Sequence, residues 1–407
     1  MKNVRRKSFR NALLMAMAVF LPLSSVSYAD DLPTASPEAM GVDSSPLVAM
    51  SKWLRNDKHN IHSMVIVKNG KVIYERYTDN LSRHANFASY SVTKVITALM
   101  LGDLFKSGAL SLNSEIEPIL SKARPDLAPE FADKYGITVN NLLCMSSGLG
   151  FEDPSYGSQI YFDAPDFLAH SVKAKPMTNP NTVFNYNDIN PIYMSSIITQ
   201  ASGKTLPELA QAEIFGPLKM EHYTWSNGDQ TGLNSSGWGI RLRTIDYAKI
   251  GMLMLNNGKW DGKKVIPASW IKKMETPCAT SAFAGPGPLF VNGYVKTEPE
   301  FTTSGFKGQF ITVLPESNTV IAVNGTFDID PDEDFFFHPD APAGSIDPKK
   351  KIYNLMLHNY ILPAIHPVGK VNPSVSKSAS LKKEMELALQ SKGEPNIFLD
   401  LPDTPHR

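Results

Sequence analysis

Two β-hairpin signals near opposite ends of the chain constrain the fold most strongly. In the first, Asn69-Gly70 separates two strand-forming runs within residues 63–77, and an Asn-Gly pair in that setting is the strongest short-range hairpin signal. The second signal covers residues 309–324, and the chain between the two is mostly helical with long loops. This order predicts an α/β (α+β) fold. Strands from both chain ends would form one antiparallel sheet, flanked by helices, with a mainly helical region inserted.

A candidate nucleophile lies at the start of the first helix after the N-terminal hairpin. Ser91 leads into an apolar run with helical spacing, and Lys94 follows one turn later on the same face. A serine hydroxyl is a poor nucleophile until a neighbouring base takes its proton, and a desolvated lysine can be that base. The Ser91-Val-Thr-Lys94 segment therefore indicates acyl transfer, in a crevice between the sheet and the helical region.

The Ser-x-x-Lys pattern alone does not identify the nucleophile. The same spacing begins at four other serines: Ser269, Ser304, Ser374 and Ser380. A helix-capping serine followed by a solvated lysine is the alternative interpretation of the first copy. Ser91 differs from Ser269, Ser374 and Ser380 because it stands at a strand-to-helix junction.

The N-terminal residues have the pattern of a secretory signal. Residues 1–29 contain a basic head, an apolar middle and a small-x-small cleavage site at residues 27–29. The apolar run is short for a membrane span, and no cysteine directly follows it as a site for a lipid anchor. We therefore expect a periplasmic or secreted protein that has no stable membrane anchor after removal of the signal.

Beyond the signal we expect one large domain and a C-terminal extension. The domain would span residues 30–366, with sheet-forming parts at about 45–90 and 285–366 and the helical insertion at about 91–284. Residues 367–407 would form the extension, which is expected to pack on the surface or to be mobile.

The net charge of the chain narrows the classes of binding partner that we expect. The chain has 40 basic and 40 acidic residues, and loss of residues 1–29 would remove five basic ones and leave a net charge of −5. A negative chain does not fit a nucleic-acid partner, so a small-molecule substrate is expected, with the oligomeric state left open.

Cys144 and Cys278 are far apart in sequence and are expected to be free thiols. No His-Glu-x-x-His motif indicates a zinc site, and no metal or organic cofactor is expected.

Several motifs occur in the order of a known family. The segment 91–94 (Ser-Val-Thr-Lys) resembles the Ser-x-x-Lys motif of the penicillin-recognising serine hydrolases. The segment 184–188 (Phe-Asn-Tyr-Asn-Asp) occupies the place of their Tyr-x-Asn motif, and the segment 302–309 the place of Lys-Thr-Gly. The resemblance extends from about residue 40 to residue 365. It is closest to the class C β-lactamase-like branch, which includes family VIII carboxylesterases and 6-aminohexanoate-dimer hydrolase, and it implies a β-lactamase-like fold.

The resemblance also implies a role for each matching residue. Ser91 would be the nucleophile, and Lys94 and Tyr186 would share the proton transfer. The backbone N–H groups of Ser91 and Phe306 would form the oxyanion hole. The residues that the resemblance assigns to substrate binding are Asp188, Thr303, Ser304 and Gly305.

Two departures from the family motifs affect the expected substrate. The third motif has Thr303 where the family has a lysine that helps to bind the carboxylate of a β-lactam. The second motif ends in Asp188 instead of asparagine, and an ionised aspartate only accepts hydrogen bonds. Asp188 could pair with Lys94 or bind a substrate amine. We therefore expect an exported serine hydrolase that cleaves a small ester or amide through an acyl-enzyme on Ser91.

Two other functions stay open at the level of sequence. A β-lactamase or penicillin-binding D,D-peptidase would use the same three motifs. A non-catalytic protein on the same scaffold could hold cell-wall fragments in the cleft, because function depends on the site and not on the fold.

Overall fold

In a computed structural model of the chain, strands from both ends pair in one antiparallel sheet. The described strands, numbered along the chain, are β1 (Ile61–Lys68), β2 (Lys71–Tyr77), β3 (Asn86–Ala88), β4 (Leu149–Gly150), β5 (Lys175–Pro176), β6 (Thr224–Trp225), β7 (Ile240–Arg243), β8 (Lys259–Trp260), β9 (Lys263–Lys264), β10 (Phe290–Val291), β11 (Phe301–Gly305), β12 (Gln309–Leu314) and β13 (Thr319–Gly325). The large sheet has the order β10-β11-β12-β13-β1-β2, and the short strands form the groups β3-β7-β6, β4-β5 and β8-β9. The predicted fold class is confirmed.

The structure describes most of the chain, in these ranges: residues 32–56, 60–153, 156–157, 159–161, 164–280, 290–291, 298–326, 352–372 and 377–391. The expected signal at residues 1–29 lies outside them. The α-helices in the described ranges are Ser44–Asn56, Val92–Lys106, Ile116–Ala123, Ala128–Phe131, Val139–Leu143, Phe167–Ser171, Ile189–Ser202, Leu206–Ala210, Thr244–Leu255, Ala268–Met274, Ile352–Met356, Leu362–Ile365 and Lys377–Leu389. Two π-helical turns are Gln211–Phe215 and Leu357–Ile361. Within these ranges, no helix has both the length and the apolar character that crossing a membrane requires.

The first hairpin forms because its turn residues adopt the backbone conformation that a two-residue turn needs. Asn69 and Gly70 have φ angles of 51° and 76°, and positive φ at both positions is the type I′ geometry. The side-chain amide of Asn318, in the turn of the second hairpin, donates a hydrogen bond to Asn69 Oδ1 at 3.0 Å. The two hairpins join edge to edge through the pairing of β1 with β13, as predicted from their positions in the sequence.

The sheet is apolar on both faces because helices cover both of them. Along β1, Val65 and Val67 belong to the apolar cluster that contains the Val92–Lys106 helix. Met64 and Ile66, which alternate with them along the strand, belong to a second cluster with the Ser44–Asn56 helix and the C-terminal helices. Successive side chains of a strand point to opposite faces, so a strand covered on both sides reads as a continuous apolar run.

Part of the expected C-terminal extension packs on the body of the protein. The Lys377–Leu389 helix contacts the Ser44–Asn56 helix and β2. Arg55 Nη2 lies 3.2 Å from Glu384 Oε2, and the hydroxyl of Ser378 donates a hydrogen bond to Glu38 Oε2 at 2.9 Å. Of the two expected outcomes, surface packing and mobility, this helix shows the first.

The expectation of two free thiols is wrong. Cys144 follows the Val139–Leu143 helix and Cys278 follows the Ala268–Met274 helix, and the two are joined by a disulfide with their Cα atoms 5.9 Å apart. Sequence spacing says nothing about this distance, because the tertiary packing of the helical region brings the two helix ends together.

We predict that replacing both Cys144 and Cys278 by serine lowers the free energy of unfolding by about 2–4 kcal/mol, since the cross-link restricts the unfolded chain. Urea denaturation measures the change. A reducing agent should destabilise the wild type by a similar amount and leave the double-serine variant unaffected. Equal stabilities of the disulfide-bonded wild type and the double-serine variant would contradict a stabilising cross-link.

A buried carboxyl group lies against the helix that begins after Ser91. Glu213 is in the π-helical turn Gln211–Phe215, which packs on the Val92–Lys106 helix. Its Oε2 atom is buried and has no hydrogen-bond partner in the described part of the chain. Burial raises the pKa of the Glu213 carboxyl to about 7; the negative charge of Asp103 adds to the rise and Lys204 opposes it. Ionisation of this carboxyl therefore destabilises the fold.

We predict that Glu213→Gln stabilises the protein at pH 8 by about 1 kcal/mol, a figure that allows for solvent screening of a half-buried group. The folded-state pKa lies above the ordinary value of 4.5, so the destabilisation is absent below about pH 4.5, grows between pH 4.5 and pH 7, and stays constant at higher pH. Unfolding free energies at pH 4 and pH 8 test this, with the exposed Glu130→Gln as control. A gain that is equal at both pH values would contradict the assignment.

Candidate active site

Three side chains from separate segments meet at the predicted nucleophile. The phenol of Tyr186 donates a hydrogen bond to Ser91 Oγ at 2.8 Å. Lys94 Nζ donates a second one to the same oxygen at 3.2 Å. The structure thus brings together the alcohol, the amine and the phenol that the three motifs supply, within the distances that proton transfer requires.

The side chain of Ser91 is free to react because it does not cap its helix. Ser91 is the N-cap residue of the Val92–Lys106 helix and has helical backbone angles, and its hydroxyl makes no capping hydrogen bond. Lys94 is only 5% exposed. The alternative of a capping serine followed by a solvated lysine therefore does not describe this site.

Lys94 is held as an ammonium by three acceptors. Its Nζ atom forms an ion pair with Asp188 Oδ1 at 2.8 Å and donates hydrogen bonds to the carbonyl oxygen of Gly237 at 3.0 Å and to Ser91 Oγ at 3.2 Å. Burial lowers the pKa of Lys94, but the negative charge of Asp188, with a smaller contribution from Tyr186, outweighs it and raises the pKa above its ordinary value. The ion pair favours a charged Lys94 because a carboxylate is buried with it, and a role for this lysine as the base stays a prediction.

Asp188 reaches Lys94 because its neighbour caps the next helix. Asp188 occupies the N-cap position of the Ile189–Ser202 helix, and its carboxylate makes no capping hydrogen bond. Instead, Asn187 Oδ1 accepts hydrogen bonds from the backbone N–H groups of Ile189 and Asn190 at 3.1 and 3.2 Å. Of the two roles considered for Asp188, the structure shows the ion pair with Lys94.

Sequence reasoning missed Gly237, whose carbonyl is the third acceptor. A Cβ atom at this position would lie 2.9 Å from Asp188 Oδ1 and 3.1 Å from side-chain atoms of Pro191, so a larger residue would displace the segment from the lysine. The available signal was the pair of glycines that flank Trp238 in the Ser-Ser-Gly-Trp-Gly segment. The sequence did not link this segment to any of the three motifs.

The end of β11 lies against the loop that leads to the nucleophile. A Cβ atom on Gly305 would lie 2.6 Å from the carbonyl oxygen of Ser89, so glycine permits this approach. Phe306 follows directly, and its ring contacts that of Tyr90, the residue before Ser91, with 5.7 Å between centroids. Phe306 thus lies close to Ser91, as an oxyanion-hole residue must, and the role of its N–H stays a prediction.

The other two residues of the third motif differ in position. Thr303 is fully buried, and its hydroxyl has no hydrogen-bond partner among the residues that the structure describes. Ser304 is paired with Phe310, whose ring stacks on Tyr353. The side chain of Ser304 therefore lies on the sheet face turned away from the Val92–Lys106 helix. The structure does not bring this side chain to Ser91, so a substrate contact by Ser304 would have to use its backbone.

The arrangement suits proton transfer and the stabilisation of negative charge. The hydrogen bond between Tyr186 and Ser91 is a path for a proton, and the ammonium of Lys94 lies beside both side chains. Across the described ranges, no three histidine, cysteine, aspartate or glutamate side chains are grouped so that they could hold a metal ion.

Known proteins show similarity over much of the chain. Residues 55–334 match the family model described as Beta-lactamase. The chain is 20% identical over 272 residues to 6-aminohexanoate-dimer hydrolase of Paenarthrobacter ureafaciens, covering 62% of this chain and 67% of that protein. It is 24% identical over 210 residues to esterase EstB of Burkholderia gladioli, covering 45% of this chain and 53% of that protein. The chain thus spans about two thirds of the first relative and about half of the second.

The fold is also similar to solved structures. A Bacillus anthracis protein that is provisionally assigned as a 6-aminohexanoate-dimer hydrolase superposes with a TM-score of 0.59 at 21% identity. The superposition covers 68% of this chain and 76% of that one. At this level of identity the similarity concerns the fold, and the chemistry has to be argued from the site.

Proposed function

The chain belongs to the beta-lactamase family, and from this premise we propose that it cleaves a small ester or amide through an acyl-enzyme on Ser91. The convergence of Ser91, Lys94 and Tyr186 within hydrogen-bonding distance is the observation that carries the proposal. Two relatives, named as a hydrolase of the 6-aminohexanoate dimer and as an esterase, support the substrate class. The buried Thr303, in place of a cationic third-motif residue, favours this class over β-lactams.

In the first half-reaction, Ser91 Oγ attacks the carbonyl carbon of the substrate. Its proton passes to the phenolate form of Tyr186 along the 2.8 Å hydrogen bond. The ammonium of Lys94 stabilises the phenolate before the transfer and, in doing so, fixes the orientation of the ring. The negative charge that develops on the carbonyl oxygen would be stabilised by the backbone N–H groups of Ser91 and Phe306. The tetrahedral adduct then expels the leaving group, which takes the proton from Tyr186 and departs as an alcohol or an amine, and the acyl-enzyme on Ser91 remains.

The second half-reaction regenerates the enzyme with the same groups. Tyr186 then accepts a proton from a water molecule that attacks the acyl-enzyme, and returns that proton to Ser91 Oγ when the carboxylic acid leaves. In this scheme Lys94 keeps its proton throughout, which its ion pair with Asp188 supports.

We predict that Ser91→Ala lowers ester hydrolysis by at least about 10³-fold without changing the thermal unfolding of the protein. A fluorophosphonate probe should label the wild type on Ser91 and leave the variant unlabelled. Ser269→Ala, at an exposed copy of the same Ser-x-x-Lys pattern, is the matched control and should keep full activity. A folded wild type that neither reacts with the probe nor hydrolyses esters would favour the non-catalytic binding protein. Covalent labelling by a fluorescent penicillin would favour the D,D-peptidase or β-lactamase.

We predict that Asp188→Asn moves the alkaline limb of the kcat/KM profile to lower pH. The carboxylate raises the pKa of the buried Lys94, so without it the ammonium loses its proton at lower pH. The pH dependence of ester hydrolysis measures the shift, and Asp126→Asn at an exposed ion pair is the control. An unchanged alkaline limb would show that activity does not need the charge on Lys94.

We also propose that the protein is exported. The pattern of residues 1–29 supports this, as does the Cys144–Cys278 disulfide, since such bonds persist in oxidising compartments. Cell fractionation with N-terminal sequencing should find a protein outside the cytoplasm that begins near residue 30. A cytoplasmic protein with an intact N-terminus would contradict export.

A further inference from the structure

An aromatic pair, formed by the exposed Phe306 and the half-buried Tyr90, lies directly beside the nucleophile. Phe306 is 51% exposed, and its ring meets that of Tyr90 nearly at right angles, with 5.7 Å between the centroids. Tyr90 immediately precedes Ser91, and Phe306 immediately follows Gly305, whose backbone lies against Ser89. The exposed Phe306 ring thus offers an apolar contact within reach of a substrate bound at Ser91.

The backbone beside both aromatic residues is strained. Tyr90 has a φ angle of 44° and Lys307, next to Phe306, has a φ angle of 61°, values that cost non-glycine residues energy. The second segment is a tight turn, closed by a hydrogen bond from Gly308 N–H to the carbonyl oxygen of Gly305 at 3.2 Å. Strain of this kind persists where the surrounding structure enforces it, and here it places the two rings together beside Ser91.

We propose that Tyr90 and Phe306 form the subsite for the acyl part of the substrate, and that this part is an uncharged apolar chain or ring. The inference rests on the proposed function of Ser91. The leaving group has to meet Tyr186, which gives it a proton. The substrate carbonyl would lie between the N–H groups of Ser91 and Phe306, so the remaining acyl group extends along the β11 side, over the aromatic pair.

The chemistry around the pair favours an apolar group. Burial raises the pKa of the Tyr90 phenol to about 12, with Arg241 acting in the opposite direction, so this ring is uncharged at neutral pH. Lys307 Nζ lies 5.7 Å from the centroid of the Phe306 ring, and its charge is directed at the ring face. The two rings thus offer the acyl group apolar surface, which the ammonium of Lys307 borders on one side.

Alkylboronic acids test the subsite, because they form adducts with a catalytic serine and carry an acyl-like group without a leaving group. In the wild type, hexylboronic acid should inhibit ester hydrolysis about tenfold more strongly than ethylboronic acid, since each additional methylene is buried. In Phe306→Ala this preference should fall to about twofold, and in Phe306→Leu most of it should return because an apolar side chain is restored. Tyr135→Ala, which removes an aromatic side chain that is 77% exposed, should keep the wild-type preference.

The outcomes separate the subsite from the function on which it rests. An equal effect of the short and long boronic acids in the wild type, or a preference that survives in a folded Phe306→Ala, would overturn the acyl subsite. Stronger inhibition by a carboxylate-terminated boronic acid than by an alkylboronic acid of the same length would overturn its uncharged character. A failure of every boronic acid to inhibit would overturn the subsite if the fluorophosphonate probe still labels Ser91. The same failure without labelling would overturn the proposed function itself.

Discussion

The structure around the reactive serine depends on the burial of one positive charge, the ammonium of Lys94. An unpaired buried charge costs several kcal/mol, so the fold has to supply acceptors. They come from three segments: the hydroxyl of Ser91 at the start of the same helix, the carboxylate of Asp188, and the carbonyl of Gly237. Two local features serve this contact, since Asn187 caps the following helix in place of Asp188 and Gly237 has no side chain to obstruct the approach.

The same interaction assigns the groups at the site to different tasks. A lysine that shares its burial with a carboxylate is favoured as an ammonium, and in the proposed reaction it supplies a fixed positive charge while Tyr186 carries the serine proton. The sheet supplies the opposite wall. Gly305 lets β11 approach the Ser89 carbonyl, and this contact places Phe306 beside the nucleophile. The site is thus assembled where strands from the end of the chain meet a helix near its beginning.

The parts of the structure that local sequence determines could be predicted. The Asn69-Gly70 turn fixes its own hairpin, and the one-turn spacing of Ser91 and Lys94 places both side chains on one helix face. Tyr186 could be proposed only from the order of the family motifs, because nothing in its own segment ties it to the serine. The Cys144–Cys278 disulfide and the contact with Gly237 depend on tertiary packing and were missed. The charge state of Lys94 could not be predicted from the sequence either, because it follows from a balance between burial and pairing.

The charge on Lys94 can be measured directly by NMR of protein labelled with 13C and 15N at its lysine side chains. The Lys94 resonance would be assigned by its absence in Lys94→Met, with thermal unfolding confirming that the variant is folded. A pKa raised by Asp188 predicts the chemical shifts of an ammonium at pH 8 and no titration below the range of ordinary lysines. The chemical shifts of a neutral amine at pH 8 would show that Lys94 is itself a base and would contradict the account.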